Sequence, residues 1–303
     1  MRFSVWPDLS RPWAEVAAMA DYAEASGWDG LYVYDHFMPH TPDDSVIDGP
    51  VLEGWTVLSA LATRTSRLRL GTMVLGNLYR HPAVLASMAA TLDHVCDGRL
   101  VLGIGAGWQA NEHAAYGIPL PPPKERLDRL EEACEVLTAL LGPGRTTFDG
   151  DHYRLADAVN EPKPVQDKIP LLVGGRGEKR TMRIAARWAD EWNAWTSPET
   201  ARHKAKVLDQ HCADLGRDPA TIVRSTQAVL HLDTDPARLP RDLDPHDRIP
   251  HVVGTPDRVA KIMAEYRDAG VDEFLVPDDA EIPWDQARDT LELFRAEVIP
   301  QLR

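Results

Sequence analysis

RLRLGTMVLGNLYRHPAVLASMAATLDHVCDGRLVLGIGAGW, residues 67–108, holds one full unit of the fold. RLRLGTMVL (67–75) is a β-prone apolar run that stops at a glycine. PAVLASMAATLDHV (82–95) has apolar residues at helical spacing, with Pro82 in the first turn, where a missing N–H costs nothing. RLVLGIGAGW (99–108) is apolar again and ends in glycines. Strand, helix and strand in this order are the pattern of a parallel sheet with helical crossovers.

The same alternation extends to both ends of the chain. RFSVW (2–6) precedes the helical WAEVAAMADYAEASG, which stops at Gly27, and GLYVYDH (30–36) precedes a Pro- and Asp-rich loop and WTVLSALATRT. The segment KERLDRLEEACEVLTALLG is helical, TTFDGDHYRL (146–155) reads as an inserted hairpin turning at Asp149 and Gly150, and IPLLVGGRG (169–177) runs into a helix from about Glu178. DEWNAW, TIVRSTQAVLHL (221–232) and DEFLVP supply further strands. An acidic loop spans 233–250, and the helix after it has Thr255 as N-cap and Pro256 in its first turn. About eight strand–helix pairs without a linker predict a single (β/α)₈ TIM barrel over residues 1–303, an open doubly wound sheet being the alternative.

Composition narrows the function. Hydrophobic residues at 44% and charged residues at 26% suit a folded globular chain. The formal net charge of −14 argues against nucleic acid and anionic membrane as partners, so a small-molecule substrate is expected. The opening MRFSVWPDLSRPW lacks an apolar h-region, and no stretch approaches the roughly 18 apolar residues of a membrane span; the expected location is cytoplasmic. Cys96, Cys134 and Cys212 are odd in number and far apart, and read as buried small hydrophobes.

In a barrel, chemistry gathers where strands end. Those ends are Trp6, Asp35–His36, Met73 to Asn77, Gly105 to Trp108, the stretch from Val173 through Gly174, Gly175, Arg176 and Gly177, and Trp192 to Trp195. Glycines followed by a helix start make a phosphate cradle, to which Arg176, Lys179 and Arg180 add charge, although the same pattern also fits a plain Gly-rich turn. Gly105 and Gly107 lack the following helix and acid of a dinucleotide fingerprint, and clear room for a flat ring or a cofactor tail. His36 and His40 lie on a Pro-containing loop, so their spacing does not suggest a metal, and none is expected. Glycosidase carboxylate pairs, G-x-S-x-G and P-loop patterns are missing.

Together DHF (35–37), DGPVLEGW (48–55), residues 67–108, EPKPVQ (161–166) and LLVGGRGEKRTMRIAARWADEWN (171–193) resemble the bacterial luciferase-like barrel enzymes. The likeness is to the branch that uses the deazaflavin coenzyme F420, and within it to an actinobacterial-type group of oxidoreductases. The resemblance implies hydride transfer at the deazaflavin C5, with FMN-dependent two-component monooxygenation as the alternative chemistry. It implies that Met73 and Val74 form a bulge, often with a non-prolyl cis peptide, that supports the ring, and that residues 174–177 hold the phosphate. It assigns His36 to proton exchange with Asp35 orienting it or touching the ring, and suggests a homodimer. Histidine titrates near neutrality, which suits either direction of transfer. Trp6, Glu53, Asn77, Trp108 and Asn193 are the expected substrate-pocket residues. Relatives that oxidise a sugar phosphate carry a glutamate where Ala106 stands, so reduction of an activated C=C, C=N or C=O group is expected, with Glu53 or Glu112 as a substitute acid from a loop.

Overall fold

The computed structural model describes residues 1–240, 243 and 249–302. Eight parallel strands form its centre: β1 (Arg2–Trp6), β2 (Gly30–Val33), β3 (Arg69–Thr72), β4 (Leu100–Gly105), β5 (Leu171–Gly174), β6 (Glu191–Asn193), β7 (Val223–Gln227) and β8 (Glu273–Pro277). Each strand pairs with the next, Leu70 of β3 lies opposite Leu100 of β4, and β8 returns to β1 from Arg2↔Glu273 to Trp6↔Pro277. The sheet therefore closes into a (β/α)₈ barrel, as the alternation predicts. The helices are α1 (Trp13–Ser26), α2 (Gly54–Arg64), α3 (Pro82–Val95), α4 (Ala110–Tyr116), α5 (Pro123–Leu141), α6 (Thr181–Trp188), α7 (Pro198–Asp214), α8 (Pro256–Asp268) and α9 (Trp284–Leu293).

Alternation along each strand divides the core in two. Val5, Leu31, Leu70, Leu102, Val173 and Phe274 point outward into a continuous apolar layer beneath the helices. Tyr32, Val101, Leu172 and Leu275 fill the interior, with Trp6, Met73 and Val74 above them. Gly71 is small because a Cβ there would overlap the Tyr32 ring, which takes up the space.

At the amino ends of the strands the interior is closed by ions. The Arg69 guanidinium donates to Glu273 at 2.9 Å and to Glu191, while Ser4 and Arg2 donate to Glu273 at 2.5 and 3.0 Å. The carboxylates are buried and paired, the condition under which buried charge is tolerated.

Several elements depart from the sequence reading. β2 ends at Val33, and the run at 67–75 breaks after Thr72, crosses a cis Met73–Val74 peptide bond and resumes as Leu75–Gly76 beside β4. TIVRSTQAVLHL is two strands: after Gln227 the chain leaves the barrel, and Val229–Leu232 pairs in parallel with His251–Gly254, a strand the sequence did not suggest. Apolar alternation continues through the break because each half has its own partner. The expected 233–250 loop is described from 233 to Pro240, including a 3₁₀ turn at Pro236–Arg238, and again at 243, 249 and 250; residues 241, 242 and 244–248 lie outside the described residues. α6 begins at Thr181, not near Glu178. The Glu178 carboxylate is held by Lys204 at 2.5 Å and its carbonyl oxygen by His211 at 2.7 Å, both from α7, so the residue belongs to the preceding turn. The hairpin pairs Thr146–Asp149 with Arg154–Ala158, slightly longer than expected. Among the described residues no helix is long and apolar enough to cross a membrane.

Candidate functional site

The end of β2 is where the sequence concentrates polar groups, and the structure distributes them to different partners. Tyr34 donates its phenol O–H to Asp8 at 2.8 Å. Asp35 is buried; its carboxylate accepts from the Gly76 N–H at 2.9 Å and from both terminal nitrogens of Arg80 at 2.8 and 3.0 Å. It does not orient His36. That side chain meets Glu112 instead, with Nδ1 2.8 Å from Oε1.

Glu112 was expected in a loop, but it lies on α4, a short helix stopped by Gly117 at φ 66°. Its side chain is fully buried and its acceptor capacity is well used: Oε1 takes His36 and the Tyr79 phenol, and Oε2 accepts from the Phe37 N–H at 2.8 Å. Burial alone would raise this carboxyl, but hydrogen bonds from His36, Tyr79 and Phe37 outweigh it and hold Glu112 below its ordinary value of 4.5. Burial and the Glu112 charge push the Tyr79 phenol up, so it remains a donor. An ionised carboxylate only accepts, so Nδ1 of His36 carries the hydrogen, and in a neutral imidazole Nε2 would be the acceptor. The imidazole is 24% exposed, the one part of this acid–histidine pair that solvent reaches.

Aromatic rings surround it. His36 lies 5.7 Å from Tyr34 and 5.4 Å from Trp108, whose indole is also edge-on to His40 at 4.7 Å. Trp6 packs against Trp195 and Tyr34. His40 is thus an aromatic contact, and among the described residues no group of three or more His, Cys, Asp or Glu side chains could hold a metal ion.

Glu53 accepts from the Trp55 and Thr56 N–H groups as the N-cap of α2 and pairs with Arg80 at 2.6 Å. It is tied to the helix start and to the arginine that binds Asp35. Asn77 donates to the Tyr153 phenol at 3.2 Å from the inserted hairpin, and its backbone N–H donates to Gly105. Asn193 is buried and donates to Ser225 and Gln227 inside the barrel. From sequence Tyr79 reads only as one of the aromatic residues of an apolar pocket, and Arg80 and Tyr153 were not picked out; the signal for Arg80 was the polar cluster between Leu78 and Pro82 at the start of α3.

The glycines require a correction. A Cβ on Gly105 would lie 2.8 Å from Val74 Cγ2, and one on Gly174 would lie 2.7 Å from Val74 Cγ1. These positions make room for Val74 of the cis bulge, not directly for a ring. Gly107 adopts φ 79° below Leu78 and His113. Gly175, at φ 134°, donates its N–H to Asn193 O at 2.9 Å, and Lys204 donates to Arg176 O at 2.9 Å, fixing the loop against β6 and α7. A hollow of about 290 Å³ lies between Leu127 and residues 177–181. Arg180 is already paired with Asp128 at 2.8 Å and Glu178 with Lys204, which leaves exposed Lys179 as the cation lining the hollow and exposed Arg176 in the loop just before it. Glycine backbone, a helix start and two such cations suit an anionic group.

Residues 1–249 match the family model described as luciferase-like monooxygenase. An uncharacterised protein of Mycobacterium tuberculosis is 34% identical over 214 residues, 67% of this chain and 75% of that one. A protein of Kineococcus radiotolerans named F420-dependent glucose-6-phosphate dehydrogenase is 34% identical over 228 residues, 74% of this chain and 66% of its own. A Nocardia farcinica protein of the same name is 28% identical across 95% of this chain and 94% of its own. Among solved structures, an F420-dependent secondary alcohol dehydrogenase bound to an F420–acetone adduct superposes with TM-score 0.82 over 100% of this chain and 99% of that chain at 22% identity. The coenzyme F420-dependent tetrahydromethanopterin reductase of Methanopyrus kandleri also gives 0.82 over 100% and 99%, at 19% identity. At these identities the structural likeness concerns the fold. The sequence match carries the assignment further, and with the closed barrel and its bulge after β3 it leads to one conclusion: this chain belongs to the luciferase-like monooxygenase family.

Proposed function

We propose that this protein is a coenzyme F420-dependent oxidoreductase that exchanges a hydride with a carbon bearing oxygen in a small organic substrate, His36 exchanging the accompanying proton. The observation that carries the reading is the His36–Glu112 pair at the end of β2. Relatives named for F420-dependent dehydrogenation at 33% and 34% identity support the cofactor. The coenzyme supplies hydride chemistry at its deazaflavin ring.

Met73, Val74 and the strand end around Gly105 would back that ring, while residues 174–177 with Arg176 and Lys179 would hold the anionic tail. Nε2 of neutral His36 accepts a proton from a substrate hydroxyl, and the imidazolium so formed is stabilised by Glu112; run backwards, the same pair protonates a reduced carbonyl. The preference for reduction rested on the lack of an acid at Ala106. Glu112 removes that premise, because it provides an acid at the imidazole from another element. Tyr34 and Trp108 lie against the His36 ring, with Trp6 behind Tyr34, and give its surroundings an aromatic lining.

Titration of the pure protein with oxidised F420, followed by quenching of coenzyme fluorescence, tests binding. Anaerobic assays with alcohols and ketones test turnover. His36→Ala is expected to lower turnover roughly 100-fold or more while binding is kept. Tight binding of reduced FMN with oxygen uptake, and no quenching of F420, would instead establish the FMN-dependent monooxygenase and overturn this reading.

A further inference from the structure

Glu112 Oε1 is shared between two donors. One is His36; the other is Tyr79, from the loop joining the bulge to α3. Three contacts lock the phenol ring there. Gly76 leaves room for it, since a Cβ at that position would lie 2.6 Å from the Tyr79 ring. His113 stacks on one side at 4.9 Å and Phe37 meets it edge-on at 4.8 Å. A ring fixed on three sides, with its hydroxyl on the very oxygen that holds the imidazole, has no freedom to leave the carboxylate.

We infer that Tyr79 is a positioning residue of the proton-exchange site, acting through Glu112 to set the tautomer and basicity of His36. The inference rests on the functional reading above. The phenol O–H takes up part of the negative charge on Oε1. Without it the same oxygen would draw the His36 Nδ1 hydrogen more strongly and favour the imidazolium. Among the described residues the other charged or titratable groups facing this cluster are Tyr34, whose phenol is spent on Asp8, Asp35 from the end of β2, Arg80 beside Tyr79, Glu53 at the start of α2 and His113 on α4 itself. Asp35, Glu53 and Arg80 pair among themselves, and His113 Nδ1 lies 3.2 Å from Ile118 O, so His36 and Tyr79 are the donors that reach Glu112 Oε1.

The test is an NMR titration of the His36 imidazole in coenzyme-free protein, wild type against Tyr79→Phe. The midpoint in Tyr79→Phe is expected to rise by roughly half to one pH unit. The limb of the kcat/KM profile that reports the neutral base is expected to move with it, and F420 quenching is expected to stay unchanged. Site-specific 3-fluorotyrosine at position 79, a stronger donor of the same shape, is expected to move the midpoint the other way, and it keeps the test intact where the phenylalanine variant fails to fold. Unmoved midpoints in both variants would overturn the inference. A responsive midpoint without any F420-dependent turnover would sink the functional reading and leave the Tyr79–Glu112–His36 coupling standing.

Discussion

At the residue scale, two adjacent polar side chains, Asp35 and His36, are held by different partners. Asp35 and His36 stood out as an acid and a base at a strand end, and adjacency suggested that they work together. Neighbours in an extended chain face opposite ways, however, and here they do: Asp35 turns to Arg80 and His36 to a carboxylate 76 positions further on. No local pattern marks a partner at that separation, and α4 looked too poor a helix to present one. Glu112→Gln keeps the size of the side chain but not its charge. It is expected to cost about 1–3 kcal/mol at neutral pH, because two donors then face a neutral amide. The pH sign follows from the depressed carboxyl: its stabilisation is complete above the ordinary value of 4.5 and is lost as pH falls through the lower folded value. Urea midpoints of wild type and Glu112→Gln should therefore converge between pH 7 and pH 3; a constant gap would contradict the assignment.

Elements were legible where a periodic pattern coincides with one hydrogen-bond ladder, as in α1, α3, α5 and β4. They were not where a single apolar run serves two ladders. The break between β3 and Leu75–Gly76 is of this kind, and so is the departure of Val229–Leu232 from β7. Composition records burial, and both halves of such a run are buried or nearly so. The glycines facing the first break were noticed for a different purpose, yet they mark it: Val74 occupies the volume that side chains at 105 and 174 would fill. Gly174→Ala is expected to destabilise by about 1–3 kcal/mol through overpacking and to weaken F420 binding. Val74→Ala in the same chain should restore much of the stability, measured as denaturation midpoints of both variants and their combination. Simple additivity of the two losses would show that the positions do not share that space.

At the scale of the whole molecule, closure of the barrel was the most legible feature, because eight repeats of one alternation admit few topologies. What closes its amino end was not legible, since Arg2, Arg69, Glu191 and Glu273 each resemble ordinary turn polarity. Arg69 joins β3 to β6 and β8 across the interior. Arg69→Met leaves two buried carboxylates without their shared cation and is expected to cost about 3–5 kcal/mol, read from chemical denaturation, whereas replacing an exposed pair such as Arg64–Asp21 should leave the denaturation midpoint nearly unchanged. A homodimer is the assembly we propose from the family resemblance; light scattering that returns the mass of one chain would dismiss it.

The ionic layer together with Tyr32, Val101, Leu172 and Leu275 works as a stopper. A stoppered tube has a single doorway, so whatever departs must retrace the path of whatever arrived. Spent and fresh substrate then contend for one passage, and the kinetic mark of that contest is product inhibition that excess substrate relieves.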